Sequence, residues 1–169
     1  MHLREQVTQP ADPSYRLIAL TRGQVAKVDA EDYERLNRWP WFAHWDPHTK
    51  SFRAARGCPT RIYMHREVMN ARPDDPSVDH SNHDTLDNRR LNLRFATDEQ
   101  SVQNQRKRVT NKSGFKGVCF HKATGRWASE ISLPDGGRKW LGVFDTPEEA
   151  HEAWKSAATE NYGEFACHA

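Results

Sequence analysis

Apolar positions come in short runs broken by Pro, Gly and Asn/Asp clusters, a pattern of small strands. "YRLIALTRGQVAKVD" holds two such runs around Thr21-Arg22-Gly23-Gln24 and predicts a hairpin. Asp29 is placed to N-cap a helix through "AEDYERLNR", which Trp39-Pro40 stops. "WFAHW", "SFRAAR" and "RIYM" predict further strands, with breaks at Pro47 and Gly57-Cys58-Pro59. A short helix over "HREVMNA" ends before Pro73, and a strand begins at Val78. Its partner, "NLRFAT", alternates apolar residues at Leu91, Leu93 and Phe95. Thr97 and Gln100 form a capping-box pattern, which predicts a helix through "DEQSVQNQRKR". After the polar connector "VTNKSGF" come three strand-like runs, "GVCFH", "RWASEISL" and "RKWLGVF". They are split at Thr124-Gly125 and at Pro134-Asp135-Gly136-Gly137. Asp145-Thr146-Pro147-Glu148 then opens a helix, whose Ala150, Ala153, Trp154, Ala157 and Ala158 recur on one face.

Length and charge sharpen this picture. The 169 residues suffice for one ordinary domain or two small ones. Small domains have thin cores, so the six tryptophans should supply much of the buried surface. Net charge is only +2, but its distribution is one-sided. Ser101–Ser129 holds no acidic residue, while Arg106, Lys107, Arg108, Lys112, Lys116, Lys122 and Arg126 are basic. The acids gather at Asp145, Glu148, Glu149 and Glu152. Such asymmetry points to a nucleic acid. Cys58, Cys119 and Cys167 are odd in number and far apart, against a disulfide framework or a thiolate zinc site. "MHLREQVTQP" carries no apolar leader segment, and no apolar run approaches membrane-spanning length. The expectation is an intracellular protein.

The densest chemistry lies in "VDHSNHDTLDNRRLNLR", Val78–Arg94. A strand–loop–strand–helix unit would bring the end of its first strand near the helix start. Asp79 and His80 are neighbours on a strand and point to opposite sides. A carboxylate can hold a divalent ion that keeps positions open for a phosphate oxygen. A neutral imidazole can take a proton from an attacking water. Together these meet the needs of phosphodiester hydrolysis. The same residues could instead form a polar hairpin whose Asp and Asn side chains bond their own backbone. Asp87 and Asn88 suit the turn, His83 a solvated loop, and His65 a core or DNA-contacting place. Arg89, Arg90 and Arg94 are candidates for phosphate contact.

"MHREVM…VDHSNHDTLDNRRLNLRFAT", with the upstream "LTRGQVAKVDAEDYERL…W", resembles the HNH endonucleases of the phage and intron homing type over roughly Tyr15 to Lys107. The resemblance implies a ββα-metal fold in which Asp79 ligates a divalent metal, His80 is the general base and Asn92 orients it. It also implies magnesium, or manganese in its place, and no structural zinc. The helical motif position is usually His or Asn, but here it is Ser101. Three alternatives follow: the metal is held by Asp79, waters and phosphate, Asn104 substitutes one turn along the same helical face, or nuclease activity is weak or lost.

"KGVCFHKATGRWASEISLPDGGRKWLGVFDTPEEAHEAWKSAATENYGEFA" resembles the APETALA/ethylene-response-factor DNA-binding domain, through Gly117-Val118, Trp127-Ala128, Glu130-Ile131, "WLGVFDTPEEAHEAW" and "YGEFA". The resemblance implies a sheet face that reads the major groove, here through Lys116, His121, Arg126, Glu130, Arg138 and Trp140. Cys119 and His121 stand where that family usually has arginine, so a different base preference is expected.

The fold class expected is α+β: a ββα-metal nuclease module preceded by a small β-rich segment and followed by a three-stranded antiparallel sheet on one helix. The boundaries are 1–14 as a disordered or extended lead-in, 15–63 as the β-rich segment, 64–107 as the nuclease module, 108–114 as a linker and 115–169 as the DNA-binding domain. Asp79, Ser101 and Asn104 are the metal candidates, and His80 and Asn92 the catalytic ones. Arg106, Lys107 and Lys112 join the DNA-contacting set. The function expected is a site-specific homing-type endonuclease, possibly nicking, acting on double-stranded DNA as a monomer at an asymmetric site. It needs no small-molecule cofactor or membrane. It would work in the cytoplasm or nucleoid of a bacterium, encoded there or by a phage. The alternative is a sequence-specific DNA-binding protein or transcriptional regulator with an inactive nuclease module.

Overall fold

The computed structural model describes residues 6–107 and 110–168. The architecture is α+β, with small antiparallel sheets and four α-helices among the described residues. The chain forms two compact units that divide after Ala96. Residues 1–5, 108 and 109, which belong to the expected lead-in, helix and linker, lie outside the described residues.

In the first unit, β1 (Tyr15–Ala19) and β2 (Val25–Asp29) form the expected hairpin, in register from Tyr15↔Asp29 to Ala19↔Val25. Helix α1 (Ala30–Asn37) follows directly. Asp29 occupies its N-cap position but makes no side-chain cap bond. Its Oδ2 accepts the backbone N–H of Arg90 at 2.7 Å instead, sixty-one residues away. Strands β3 (Phe42–Asp46), β4 (Ser51–Arg56) and β5 (Ile62–Tyr63) make a second sheet. Helix α2 (Met64–Val68) leads to the pair β6 (Ser77–His80) and β7 (Leu93–Ala96). A core of Ile18, Val28, Leu36, Trp41, Met64 and Val68 joins these elements. The alternation expected at Leu91, Leu93 and Phe95 is not an inward row. Only Leu93 is buried; Leu91 sits in a 3-10 turn (Arg90–Asn92), 75% exposed.

The second unit begins with α3 (Asp98–Gln103), capped by Thr97 with the reciprocal Gln100 bond. The sequence pattern carried this helix on through "NQRKR", but it stops at the Asn104 cap. The residues beyond offer no apolar face to pack, and short helices depend on packing. The carbonyls of Gln103 and Gln105 turn to the Lys116 ammonium. Strands β8 (Val118–His121), β9 (Arg126–Ser132) and β10 (Arg138–Phe144) form an antiparallel sheet with β9 central. Helix α4 (Pro147–Tyr162) starts from a Thr146–Glu149 capping box. It buries Ala150, Trp154, Ala157 and Ala158 as expected, and His151 besides, with Ile131 of β9 in the shared core. A glycine is required at Gly117. Its φ is +75°, and a Cβ there would lie 1.9 Å from the Trp154 ring.

Candidate catalytic loop and candidate nucleic-acid face

The loop from Ser81 to Asn92 is built by its own amides and carboxylates. Asn82 Oδ1 accepts from the Asp84 N–H at 2.8 Å, and Asp84 Oδ1 from the Leu86 N–H at 3.1 Å. These are local side-chain turns, the use that Asn and Asp favour. The loop then docks edgewise on β2: the Lys27 N–H donates to Leu86 O at 2.8 Å and the Asn88 N–H to Lys27 O at 2.7 Å.

Asn92, 2% exposed, closes the loop. Its Oδ1 accepts from Ser81 Oγ and the Asn82 N–H, both at 2.9 Å, and its Nδ2 donates to Asp87 O at 2.8 Å. The expected contact from Asn92 to the imidazole is therefore not what the fold provides, because both ends of its amide are taken by the loop. The amide facing His80 is that of Asn88, whose Oδ1 lies 3.5 Å from His80 Nε2. Nothing in the sequence pattern separates Asn88 from the other loop amides, so it was assigned only to the turn.

Asp79 and His80 lie at the end of β6, paired with Arg94 and Leu93. His80 is buried, and its ring meets that of His65 edge to face at 5.2 Å. His65 stacks on Tyr63 at 5.5 Å, and Tyr63 meets His44 at 5.9 Å. Burial lowers the pKa of His80; the Asn88 bond opposes this, and the charge of Arg53 adds to the lowering. For His65, burial first, then His80, Arg53 and Arg66, push the pKa down to about 3. His65 Nδ1 is buried without a hydrogen-bond partner among the described residues. His65 thus belongs to the surroundings of His80. The loop residue His83, expected in solvent, is half-buried.

The three arginines expected to meet phosphate are each paired with a carboxylate of the first unit, Arg89 and Arg94 half-buried and Arg90 exposed. Arg89 grips Asp87 with two bonds of 2.7 and 2.8 Å, and that carboxylate is 2% exposed. Burial pushes the Asp87 pKa up, but hydrogen bonds and charge from Arg89 outweigh it and the net direction is down. Arg90 pairs with buried Asp32 at 3.0 Å. Arg94 pairs with Asp79 at 3.2 Å. Each cation is matched by a carboxylate of this unit, so its first role is structural.

Ser101 and Asn104 lie on α3 and at its C-cap, in the second unit, with Asn104 buried. Among the described residues no group of three or more His, Cys, Asp or Glu converges to hold a metal.

The sheet of the second unit has one outward face. The register pairs His121 with Arg126 and Trp140 with Glu130, and alternation puts Cys119 and Arg138 on the same side. Arg138 bonds Glu130 at 3.0 Å, and the His121 ring lies 6.0 Å from Trp140, which is 54% exposed. The expected set is thus gathered, except Lys116. That ammonium donates to the carbonyls of Gln103, Gln105 and Cys167 and lies 5.2 Å from the Trp154 ring centre. Burial lowers its pKa. Lys116 ties α3 and the C-terminal residues to the module. Arg106, Lys107 and Lys112 are exposed, with Lys107 bonded to Gly114 O at 2.7 Å.

No family model and no solved structure matches the chain. Among curated proteins, one named an uncharacterized HNH endonuclease, from Acanthamoeba polyphaga mimivirus, is 25% identical over 152 residues. That alignment spans 90% of this chain and 78% of the viral protein. A dehydration-responsive element-binding protein of Arabidopsis thaliana is 48% identical over 50 residues, 29% of this chain and 24% of its own length. An ethylene-responsive transcription factor of the same plant is 39% identical over 77 residues, 45% of this chain and 22% of its own. The chain spans about a quarter of the length of these plant proteins. No helix among the described residues is long and apolar enough to cross a membrane.

Proposed function

We propose that the chain is a divalent-metal-dependent DNA endonuclease of the HNH type, with a second DNA-binding module of the APETALA/ethylene-response-factor kind. The observation that carries this reading is His80: a buried imidazole with lowered pKa at a strand end, beside Asp79 and bonded to a loop amide. Asn88 Oδ1 can only accept, so this contact fits a neutral ring that donates from Nε2. A neutral imidazole is the form that can take a proton from water. The similarity to the viral protein over most of the chain supports the same reading.

Asp79 would hold the ion. Its side chain is 18% exposed, and its Arg94 pair at 3.2 Å is longer than the bonds that lock Asp87. One carboxylate suits a largely hydrated magnesium ion, which binds proteins through one or two such groups. Manganese would serve the same place. The ion supplies charge neutralisation on the phosphate. The motif adds Ser101 or Asn104 as a further ligand. Asn92 acts one step back, by fixing the loop that carries Asn88.

The sheet face with His121, Arg126, Glu130, Arg138 and Trp140 would read double-stranded DNA, and Arg106, Lys107 and Lys112 would follow its backbone. A monomer on an asymmetric homing-type site, in the cytoplasm or nucleoid, completes the proposal. A second reading, a DNA-binding regulator with an inactive nuclease module, is favoured by Ser101 at the motif position.

Nicking of supercoiled plasmid with and without magnesium separates the two. The wild-type chain should nick, and His80→Ala should not, while duplex affinity stays within a few-fold. Ser101→Asn should lower the magnesium needed, because affinity follows ligand type and number. Equal loss of binding and cleavage in His80→Ala would make His80 structural and favour the regulator.

A further inference from the structure

With Arg89, Arg90 and Arg94 matched to carboxylates of the first unit, the question is which cation there meets the DNA. Arg53 stands apart from the trio. It lies on β4 directly opposite His44, and alternation puts it on the same sheet face as Tyr63, whose strand pairs at Ala55. That face carries the row of rings His44, Tyr63, His65 and His80, each within 6 Å of the next, which ends at the proposed base. The Arg53 charge reaches into this row, since it helps to depress the pKa of His44 and of His65, the ring next to His80. Its ion pair among the described residues is one contact of 3.4 Å with Asp46. That carboxylate already caps its own turn through the His48 and Thr49 N–H groups. The Arg53 side chain is 31% exposed. A guanidinium held by that one contact has donors to spare for a phosphate. Its five donors in a planar fork match two phosphate oxygens.

We propose that Arg53 is a phosphate-binding residue of the first unit, holding the DNA phosphate next to His80. This rests on the endonuclease reading for the cleavage step, but the phosphate contact can be tested without it. Arg53→Gln and Arg53→Lys in the full chain are compared with Arg89→Gln. Three measurements are made: nicking of supercoiled plasmid, salt dependence of binding to a random-sequence duplex, and thermal melting.

Arg53→Gln should slow kcat by on the order of 100-fold with a much smaller change in KM, as loss of a transition-state donor does. The slope of log affinity against log salt should become shallower by about one. Melting should stay within about 2 °C, since what is lost is one 3.4 Å contact, and the Asp46 carboxylate keeps its bonds from the His48 and Thr49 N–H groups. Arg53→Lys should restore the slope but only part of the rate, because a point charge replaces the fork. Arg89→Gln should show the reverse, with lowered melting and an unchanged slope.

An unchanged slope and rate in Arg53→Gln would overturn the proposal. So would a rate loss matched by lost melting in both Arg53 variants, which would mark a structural residue. If the wild type fails to nick, the endonuclease reading falls, and the salt slope alone decides the Arg53 contact.

Discussion

Arginine does opposite work in the two units. In the first, Arg89, Arg90 and Arg94 pair with carboxylates whose side chains are 2%, 6% and 18% exposed. In the second, Arg126 and Arg138 pair with Asp145 and Glu130, at 78% and 45% exposure. Exposed pairs contribute about 0–1 kcal/mol and give way to a phosphate or a base. A cation facing a buried carboxylate is not free to leave, because the carboxylate would then be stranded. The composition of a basic segment therefore says less about DNA contact than the burial of the acids around it.

The largest expected effect comes from pH and would break the comparison if absent. The His65 pKa lies near 3 in the folded state, below the ordinary value of 6.5. The unfolded chain thus binds the extra proton first, and the stabilisation is complete above about pH 6.5 and lost as pH falls toward about 3. At 1.36 kcal/mol per pH unit, the first unit should lose roughly 3 kcal/mol between about pH 7 and pH 4.5. His80 adds in the same direction. Denaturant titration followed by hydrogen exchange at β1–β4 should report the loss, and His65→Phe should flatten it.

Next, Arg89→Gln should destabilise the first unit by about 3 kcal/mol, because it leaves the 2%-exposed Asp87 carboxylate unpaired. Exchange protection should fall in β1–β4 and hold in β8–β10. Comparable in size, Gly117→Ala should cost the second unit about 3 kcal/mol, since its Cβ would enter the Trp154 ring at a positive φ. The smallest effect is Arg138→Gln. It should shift melting of the second unit by no more than about 0.5 kcal/mol, yet cost ~1–3 kcal/mol of binding at one base pair. Titration against single-base variants of a selected site reads the second quantity.

The parts of the fold written in local residues were legible. Thr21–Gln24, Thr97/Gln100 and Asp145–Glu148 gave a hairpin, a capping box and a helix start that the structure contains. The grouping of His121, Arg126, Glu130, Arg138 and Trp140 came with the family resemblance, and the strand register places the five on one face. Features set by distant partners were not legible. Asp29 looked like a helix cap but bonds Arg90, and Arg90 looked like a DNA contact but bonds Asp29 through its backbone and Asp32 through its side chain. Asn88 and Asn92 are chemically identical, and only the path of the loop decides which one faces His80. Leu91 fitted a strand period by position and lies outside the strand.

The Lys116 clip bears on how a footprint of this protein should be interpreted. A lysine nitrogen enclosed by three carbonyls and an indole is screened from an acylating reagent. In lysine labelling read by mass spectrometry, Lys116 should be nearly silent with or without DNA, while exposed Lys112, Lys122 and Lys139 react. Its silence would report an intact module rather than a bound duplex. A rise in its labelling would be an early sign that α3 had come away from the sheet module.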